Sequence, residues 1–569
     1  MPSTFSSYYM ARSGIQTAQY NLKVTGQNMT NVNTDGYTRQ RLVSNALAST
    51  TRNAMYANKD SLGIGEGVES TSVSQLRDPF LDVRYRMAST KTGMTGVQLD
   101  AMNDMESALD EISKNGINAQ LTELVSELKN LAATPSDTNL ETIVKTACTK
   151  LKDEFHKAAK QLEDIRTQQQ GAFQKYAVDK VNTLLKNIAN VNQEIKSADI
   201  SQTPCLELLD QRNSYLDELS QYLDIDISTR QYSIGAGRTV DVLVVDMKGA
   251  DGTNYNLIDD DQYSTFSVKQ NVSVDYVTSP HNDVYYTKNL DTAVYLTNSK
   301  GELLGKKAAD GTTTLPLNDQ IASGEFAGYL SMLNDNGEYD IAASGTSANG
   351  DTYPAVAATT RGIGYYQKTL DKLAGAFAQM MNNVNSTNVT LDDMGNNASN
   401  LPNKPLFTTD DGITTDISQI TAKNISISNA WNSAVGNFIT ATKSETLVGV
   451  DNSSAGKNIL YMINQFTQEK TFYTDSTKTT TLFTSSLDSF MSTLSTTLGQ
   501  DINTTSNQNT SFTLTRNDID TQRQAISSVD INEESINMIM YNQALAASSR
   551  FMTTLDEAID TIINKMGVG

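Results

Sequence analysis

Residues 4–32 read TFSSYYMARSGIQTAQYNLKVTGQNMTNV, and this stretch decides how the rest of the chain is organised. Mostly small or apolar side chains recur in it at alternating steps of four and three residues, the heptad spacing that lines one stripe of a helix facing a partner helix. Gly36 can adopt the left-handed conformation that ends a helix. The candidate interface residues on this stripe are Thr4, Tyr8, Ala11, Ile15, Ala18, Leu22, Thr25, Met29 and Val32.

The C-terminal end of the chain repeats the same spacing. Asp530 and Glu533 have the spacing of a capping box, and Glu533 and Glu534 place negative charge in a first turn, where the helix dipole favours it. We therefore predict that the two terminal helices pair as a coiled coil; the alternative is that each packs separately onto a globular core. The candidate interface residues here are Met538, Tyr541, Leu545, Ser548, Met552, Leu555, Ile559, Ile562 and Met566.

The interior of the chain alternates between helical and strand-like patterns. Residues 79–222 are predicted to be helical, and residues 137–199 contain only Gly171 as a helix breaker, which predicts one long bundle helix. Its predicted buried stripe is Ile143, Ala147, Leu151, Phe155, Ala158 and Leu162. Residues 225–350 alternate with a period of two, as strands do, whereas helical spacing returns over 365–384, 457–471 and 482–526.

These patterns predict a mainly α protein with inserted β-rich domains, paired terminal coiled-coil helices, a long helical-bundle body and a nested multidomain architecture. Residues 1–36 and 528–569 would form the terminal domain. Residues 37–228 and 352–527 would form the helical body, with a possible small lobe at about 385–450. Residues 229–351 would form the inserted β-rich domain.

Charge and hydropathy exclude several classes of function. The chain has 569 residues and a formal net charge of -21, which argues against binding to nucleic acid or to an anionic membrane surface. No apolar run approaches the length of a bilayer span. The start lacks a basic segment followed by an apolar core, so we expect no cleaved secretory signal.

The residues that usually carry chemistry are sparse. The only histidines are His156 and His281, which are too few for a histidine metal cage and lie far apart in the chain. Asp259, Asp260 and Asp261 lack the alternating ligands of a calcium loop, and we interpret them as a solvated turn. Cys148 and Cys205 are interpreted as isolated small buried residues, with a disulfide between them as the open alternative. We therefore predict no catalytic residue, no metal and no cofactor, although a carboxylate-only site of the glycosidase kind stays open.

Four stretches resemble a known family. Residues 27–40 (QNMTNVNTDGYTRQ), 76–86 (LRDPFLDVRYR), 208–219 (LLDQRNSYLDEL) and 529–547 (VDINEESINMIMYNQALAA) are similar to the signatures of bacterial flagellar axial proteins, which comprise the rod, hook and hook-associated proteins. The form Gly-Tyr-Thr-Arg-Gln at 36–40 looks most like the hook-associated members. Thr30 and Asp35 stand where the family more often has Ala and Pro.

The resemblance implies a structural, non-enzymatic subunit of the flagellum at the junction between hook and filament, assembled through its terminal helices. Implied partners are copies of itself in a ring or helical lattice, the hook protein, a second hook-associated junction protein, and an export chaperone at the C-terminal helix. The implied location is outside the cell, after export through the flagellar channel. A hook or rod protein is the alternative within the family, and a secreted enzyme is the alternative outside it.

Overall fold

Two long terminal helices and a helical body form the computed structural model of the chain. The structure describes residues 4–47, 67–235, 237–277, 285–308, 312–340, 360–385, 404–416, 418–434, 438–441, 456–474, 478, 480–561 and 563. His281, Ile562 and Met566 lie outside these residues, as do residues 386–403, 417, 435–437 and 442–450 of the predicted lobe at 385–450. Within them, no helix is long and apolar enough to cross a membrane.

The terminal helices are α1 (Thr4–Thr30) and α12 (Ile531–Asp560). Strands β1 (Gln40–Leu47) and β2 (Gly67–Gln75) form an antiparallel hairpin that packs on α1. Helix α1 ends at Thr30, just before the predicted stop at 31–36, and Gly36 has the predicted left-handed conformation, with a φ of 76°, in the turns that follow the helix. Helix α12 begins at the predicted cap, since the Asp530 carboxylate accepts a 2.8 Å hydrogen bond from the backbone N–H of Asn532.

Ten helices build the body. They are α2 (Pro79–Asn115), α3 (Ile117–Ala133), α4 (Thr138–Ala172), α5 (Asp179–Ile200), α6 (Leu206–Tyr222), α7 (Glu325–Asn334), α8 (Ile363–Asn385), α9 (Asn429–Asn432), α10 (Lys457–Thr467) and α11 (Phe490–Ser527), counted over the described residues. A π-helical turn, Phe173–Val178, joins α4 to α5, and a 3₁₀ turn spans Gly337–Asp340. The predicted long helix is therefore continuous but has a π turn in its middle.

The strands form small antiparallel sheets. Strands β3 (Ile225–Gly235), β4 (Arg238–Lys248), β5 (Asn254–Asp259) and β6 (Gln262–Tyr263) make one sheet in sequence order, and β7 (Thr265–Val277), β8 (Tyr285–Thr297) and β9 (Leu303–Leu304) make another. Two-stranded pairs follow: β10 (Phe407–Thr408) with β11 (Ser426–Ile427), and β12 (Lys470–Tyr473) with β13 (Thr481–Ser485). The prediction of a mainly α chain with an inserted β-rich region is confirmed.

Two local predictions are wrong. Ile143 is 46% exposed, and Val144 takes its place in the buried stripe of α4, because that stripe begins one residue later. The predicted helix at 482–526 begins only at Phe490, since Thr481–Ser485 pairs with Lys470–Tyr473 as a strand. In α4 the helical period is correct and only the first position of the stripe differs, whereas at 481–485 a strand stands where a helix is predicted from Leu482 onward.

The buried core is continuous between the helices and the β-rich region. The Phe326 ring of α7 lies 5.1 Å from the Phe173 ring of the π turn and 5.2 Å from the Phe266 ring of β7, measured between centroids. Asn182 of α5 also donates a 2.9 Å hydrogen bond to the Phe266 carbonyl. Helix α7 lies within the predicted insert, 229–351, yet packs on α2. The domain boundaries and the nested arrangement stay predictions.

Phe326→Ala should destabilise the whole body. Phe326 is fully buried and its ring joins a helix, a π turn and a strand, so its removal leaves a cavity that the surroundings cannot close. We expect the free energy of unfolding to fall by about 3–5 kcal/mol in denaturant titration. Phe80→Ala is the matched control, since Phe80 is 66% exposed and its truncation should leave stability nearly unchanged. Equal effects of the two substitutions would contradict this account of the core.

Candidate assembly interface

The terminal helices lie against each other and run antiparallel. The Tyr8 hydroxyl of α1 donates a 3.2 Å hydrogen bond to the Asp556 carboxylate near the end of α12. A Cβ placed on Gly14 would come within 3.0 Å of the Ser548 hydroxyl, so the two helices approach closely there. Residue numbers thus rise along α1 as they fall along α12. Whether the pair has coiled-coil geometry stays a prediction.

The predicted interface residues occupy the less exposed side of each helix. On α1, Ala11 and Ala18 are 2% and 4% exposed, while Tyr8, Ile15, Leu22, Met29 and Val32 are half-buried. On α12, all the predicted interface residues that the structure describes are half-buried. They are Met538, Tyr541, Leu545, Ser548, Met552, Leu555 and Ile559. The role of these residues in contacts between subunits stays a prediction.

The other side of α12 exposes large apolar side chains. Ile536, Met540 and Phe551 are 66%, 50% and 42% exposed, and their spacing places them on one side of the helix, away from the predicted stripe. Ile539 and Ile563 are 59% and 64% exposed. We call Ile536, Met540 and Phe551 the outer face of α12. Among the described side chains of this helix only Glu534 is buried, so α12 packs along one side alone.

A second face of α1 carries polar contacts that the sequence reasoning missed. The Ser13 hydroxyl accepts a 3.2 Å hydrogen bond from the Val68 N–H, and the hydroxyls of Thr17 and Ser70 lie 3.0 Å apart. Both contacts hold the β1–β2 hairpin on α1. The signal that could have found this face is the helical spacing of Ser13 and Thr17.

A charge cluster fixes α12 at its entry to the body. Arg39 donates hydrogen bonds of 3.0 and 2.8 Å to the two oxygens of Glu533 and one of 2.8 Å to Glu534, while its backbone N–H donates to the Ser527 carbonyl. Glu534 is 2% exposed, so its carboxylate depends on this partner. The hydrogen bond and charge of Arg39 lower the pKa of Glu533 below its ordinary value. Glu533 and Glu534 are thus ion-pair partners as well as first-turn acids.

Asn28 and Asp210 tie the chain between α1 and β1 to its surroundings. The Asn28 side chain exchanges two hydrogen bonds with the Gln40 backbone, at 2.9 and 3.0 Å, and accepts one of 2.9 Å from the Tyr37 hydroxyl. The Asp210 carboxylate of α6 accepts a 3.1 Å hydrogen bond from the Thr38 N–H, and burial raises its pKa. The segment after α1 is therefore anchored to both α1 and the body.

A second group of ion pairs joins α2, α6 and α11. Asp217 of α6 accepts from Arg86 of α2 at 2.7 Å and from Arg523 of α11 at 2.5 Å, and Arg77 pairs with Asp82. Arg77, Asp217 and Arg523 line an open cleft of about 630 Å³ together with residues 31–38. We call the region of residues 28–40, 76–86, 210–217 and 523–534 the neck. Four stretches distant in sequence meet there.

The candidate chemical residues have structural partners. The His156 Nε2 atom lies 2.8 Å from the Ile425 carbonyl, and Cys148 is a buried free thiol. Cys205 is a free thiol that is only half-buried, which corrects the expectation of a buried residue. A turn does form at Asp260 and Asp261, and Asp261 is exposed, but Asp260 is 6% exposed and pairs with Lys196, so the prediction that it is solvated is wrong. Across the described chain, no group of three or more His, Cys, Asp or Glu residues could hold a metal ion.

Arg39→Gln should loosen the start of α12 without unfolding the body. The change leaves the buried Glu534 carboxylate without its partner, at a cost of about 3 kcal/mol. Amide hydrogen exchange over 531–541 should therefore quicken roughly a hundredfold, while exchange in α4 stays unchanged. Arg550→Gln is the control, because Arg550 lies exposed on the same helix. Equal protection of 531–541 in the wild type and in Arg39→Gln would contradict the proposed role of Arg39.

Acidification should remove the difference between wild type and Arg39→Gln. Because the folded pKa of Glu533 is lowered, its pairing stabilises the neck above the ordinary glutamate pKa and is lost as the pH falls through the folded pKa. The amide hydrogen exchange rates over 531–541 of the wild type and of Arg39→Gln, compared at each pH, should differ at neutral pH and become equal in acid. A difference that grows on acidification would have the wrong sign for this pairing.

The chain is similar to flagellar hook-associated proteins along its whole length. It is 26% identical over 579 residues to flagellar hook-associated protein 1 of Bacillus subtilis, covering 100% of both chains. It is 26% identical over 223 residues to the protein of that name from Escherichia coli, covering 39% of each. A solved structure, the flagellar hook junction protein FlgK from Burkholderia pseudomallei, matches 58% of this chain and 47% of that one at 15% identity, but its TM-score of 0.35 is too low to support an argument.

A family model decides the classification. The model described as the flagellar hook-associated protein FlgK helical domain matches residues 102–401, more than half of the chain. The matched segment contains most of the helical body and the β-rich strands that follow α6. The chain therefore belongs to the flagellar hook-associated protein FlgK family.

Proposed function

We propose that the chain is a structural subunit of the bacterial flagellum, the organelle of motility, and that it forms part of the junction between hook and filament. Its family and its full-length similarity to flagellar hook-associated protein 1 of Bacillus subtilis support this. The proposed assembly surface is the pair of terminal helices. An axial protein of the hook or rod is the less favoured alternative, since the similar proteins are hook-associated proteins.

The observation that carries the proposal is the outer face of α12. Ile536, Met540 and Phe551 lie exposed on a helix that packs along one side alone. Contiguous exposed apolar surface marks a protein interaction site. Each such side chain contributes up to roughly 1.5–3 kcal/mol when fully buried, so covering the face stabilises an assembled form.

The occupants we propose for this face are the terminal helices of neighbouring copies. Within each copy the predicted stripe already lies on the less exposed side of α1, so the outer face of α12 would meet a different surface of the neighbouring copy, and such a contact between unlike faces is heterologous. Heterologous contacts produce a ring or an open helical lattice around an axis, not a two-fold dimer. An axial lattice is the kind of assembly that a hollow flagellar junction requires.

Further partners are proposed from the family alone. The hook protein would lie on one side of the ring and a second hook-associated junction protein on the other. An export chaperone would cover the C-terminal helix before secretion, and the subunit would leave through the flagellar channel without a cleaved signal. Binding of that chaperone to α12 would also shield the apolar outer face inside the cell.

The charged residues of the neck fit a structural role. Arg39 pairs with Glu533 and Glu534, and Arg86 and Arg523 pair with Asp217. Charges that satisfy one another hold helices in place and leave little unpaired charge to act on a substrate. We therefore propose a non-catalytic function and favour it over a carboxylate-only enzyme.

Leu545→Asp should block assembly while sparing the body. Leu545 is half-buried in the middle of the predicted α12 stripe, and a carboxylate there opposes burial against α1 or a neighbouring copy. We expect the thermal midpoint of the isolated chain to change little, because α12 lies outside the body core. Cells carrying the variant should export flagellin without retaining filaments, as judged by electron microscopy and by flagellin in the medium.

Thr553→Asp is the matched control, since Thr553 is exposed on the same helix and lies on neither the predicted stripe nor the outer face. It introduces the same charge off the stripe and should leave filaments in place. Unfolding of the isolated chain by Leu545→Asp would show that α12 belongs to the body core. Normal filaments in the Leu545→Asp cells would show that the terminal helices are not the assembly surface.

A further inference from the structure

Helix α2 has three distinct faces over its first three turns. Arg86 and Thr90 contact α6, through the ion pair with Asp217 and a 2.6 Å hydrogen bond to the Ser220 carbonyl. Tyr85 contacts α11, because the Arg523 guanidinium lies 4.0 Å from its ring centroid. Leu81 and Ala88 are buried, and they lie on the same face of α2 as Tyr85 because the three residues are spaced by four and three positions. Two faces of the helix are therefore committed to the body.

The third face is apolar and exposed. Phe80, Val83 and Met87 are 66%, 53% and 56% exposed and recur at steps of three and four, so they form one stripe. Arg84 and Lys91 lie on the same face, and neither forms an ion pair with any described residue. Arg84 instead stacks over Phe80 at 5.8 Å, and Lys91 lies 5.7 Å from the Phe512 ring of α11. We call Phe80, Val83, Arg84, Met87 and Lys91 the α2 stripe.

We propose that the α2 stripe is a second docking surface, and that its occupant is the acidic surface of a neighbouring copy of this chain. The inference rests on the proposed function and deepens it by naming a contact between bodies. Its first support is charge complementarity. The chain carries 65 Asp and Glu against 44 Lys and Arg. Arg84 is an exposed cation beside apolar side chains, and Lys91, whose charge also acts on Asp224 of its own chain, is exposed on the same face, so this surface is complementary in charge to the acidic surface of another copy.

The second support is the position of the stripe beside the neck. The backbone N–H of Leu76 donates a 2.8 Å hydrogen bond to the Arg39 carbonyl, and Phe80, at the start of α2, follows Leu76 by four residues. Arg39 in turn holds the start of α12, where Ile531 is 50% exposed. The stripe is thus continuous with the base of the terminal helices. Copies that meet through those helices would bring their necks, and with them the α2 stripes, next to neighbouring bodies.

Site-specific photocrosslinking in assembled flagella tests the proposal. The full chain is produced in cells that lack their own copy, with p-benzoyl-phenylalanine in place of Met87, and isolated hook–filament structures are irradiated. Met87 is suited to this probe because it is 56% exposed and lies in the middle of the stripe. The matched control carries the probe in place of Tyr176, which is 63% exposed on the π turn of the body.

The expected product has twice the 62.0 kDa mass of the chain. Mass spectrometry should show that the probe at position 87 of one copy is bonded to a residue of a second copy. Arg84→Glu combined with Lys91→Glu should strongly reduce its yield, while the thermal midpoint of the isolated chain stays unchanged. A product with a different protein, or no product at Met87 in structures that contain the chain, would overturn the inference and leave the proposed function standing. Absence of the chain from hook–filament structures would overturn both.

Discussion

The ion pair between Arg39 and the buried carboxylate of Glu534 is the constraint on which the arrangement of the chain ends depends. Arg39 follows the first helix and Glu534 begins the last one, so one side chain closes a loop that spans almost the entire sequence. A buried carboxylate is costly unless it is paired and hydrogen-bonded, and Arg39 provides both. The direction in which α12 leaves the body is thereby fixed by a charge, whereas its length is fixed by local helix chemistry.

The neck is held by polar contacts, whereas the terminal helices present apolar surface. The neck is built from directional contacts, such as Asn28 with the Gln40 backbone and Asp210 with the Thr38 N–H, which set angles. The helix pair beyond it presents non-directional apolar surface, which can be covered by any neighbour of suitable shape. A rigid neck that holds a helix with one exposed apolar face suits the proposed assembly, in which each subunit would be added in one orientation.

Local periodicity was enough to predict the terminal helices, because a helix places every third or fourth side chain on one face wherever its partner lies. Met538, Leu545 and Met552 could therefore be singled out from sequence alone. The same reasoning chose Ile143 over Val144 in α4, because adjacent apolar residues fit a helical stripe equally well. It also missed the strand Thr481–Ser485. The conformation of this segment depends on pairing with Lys470–Tyr473, which its own sequence pattern does not reveal.

The long-range polar contacts could not be predicted in this way. Arg39 and Glu533 are separated by 494 positions, and a charged pair leaves no periodic signal in either segment. Asp260 was interpreted as solvated because Lys196, its partner, lies on a different element. The resemblance to axial proteins identified the stretches that form the neck but did not say that they touch. The structure adds that contact, together with the polar hairpin face of α1.

The outer face of α12 should be exposed in the isolated chain and covered by neighbouring copies in the assembled flagellum. Hydroxyl-radical footprinting of Met540 and Phe551 measures this directly, because both side chains react readily when they are exposed to water. In the isolated chain both should be oxidised, and in purified hook–filament structures their oxidation should fall to near background while Tyr176, exposed on the body, stays reactive. Oxidation of Met540 and Phe551 that is equally strong in both samples would contradict the account.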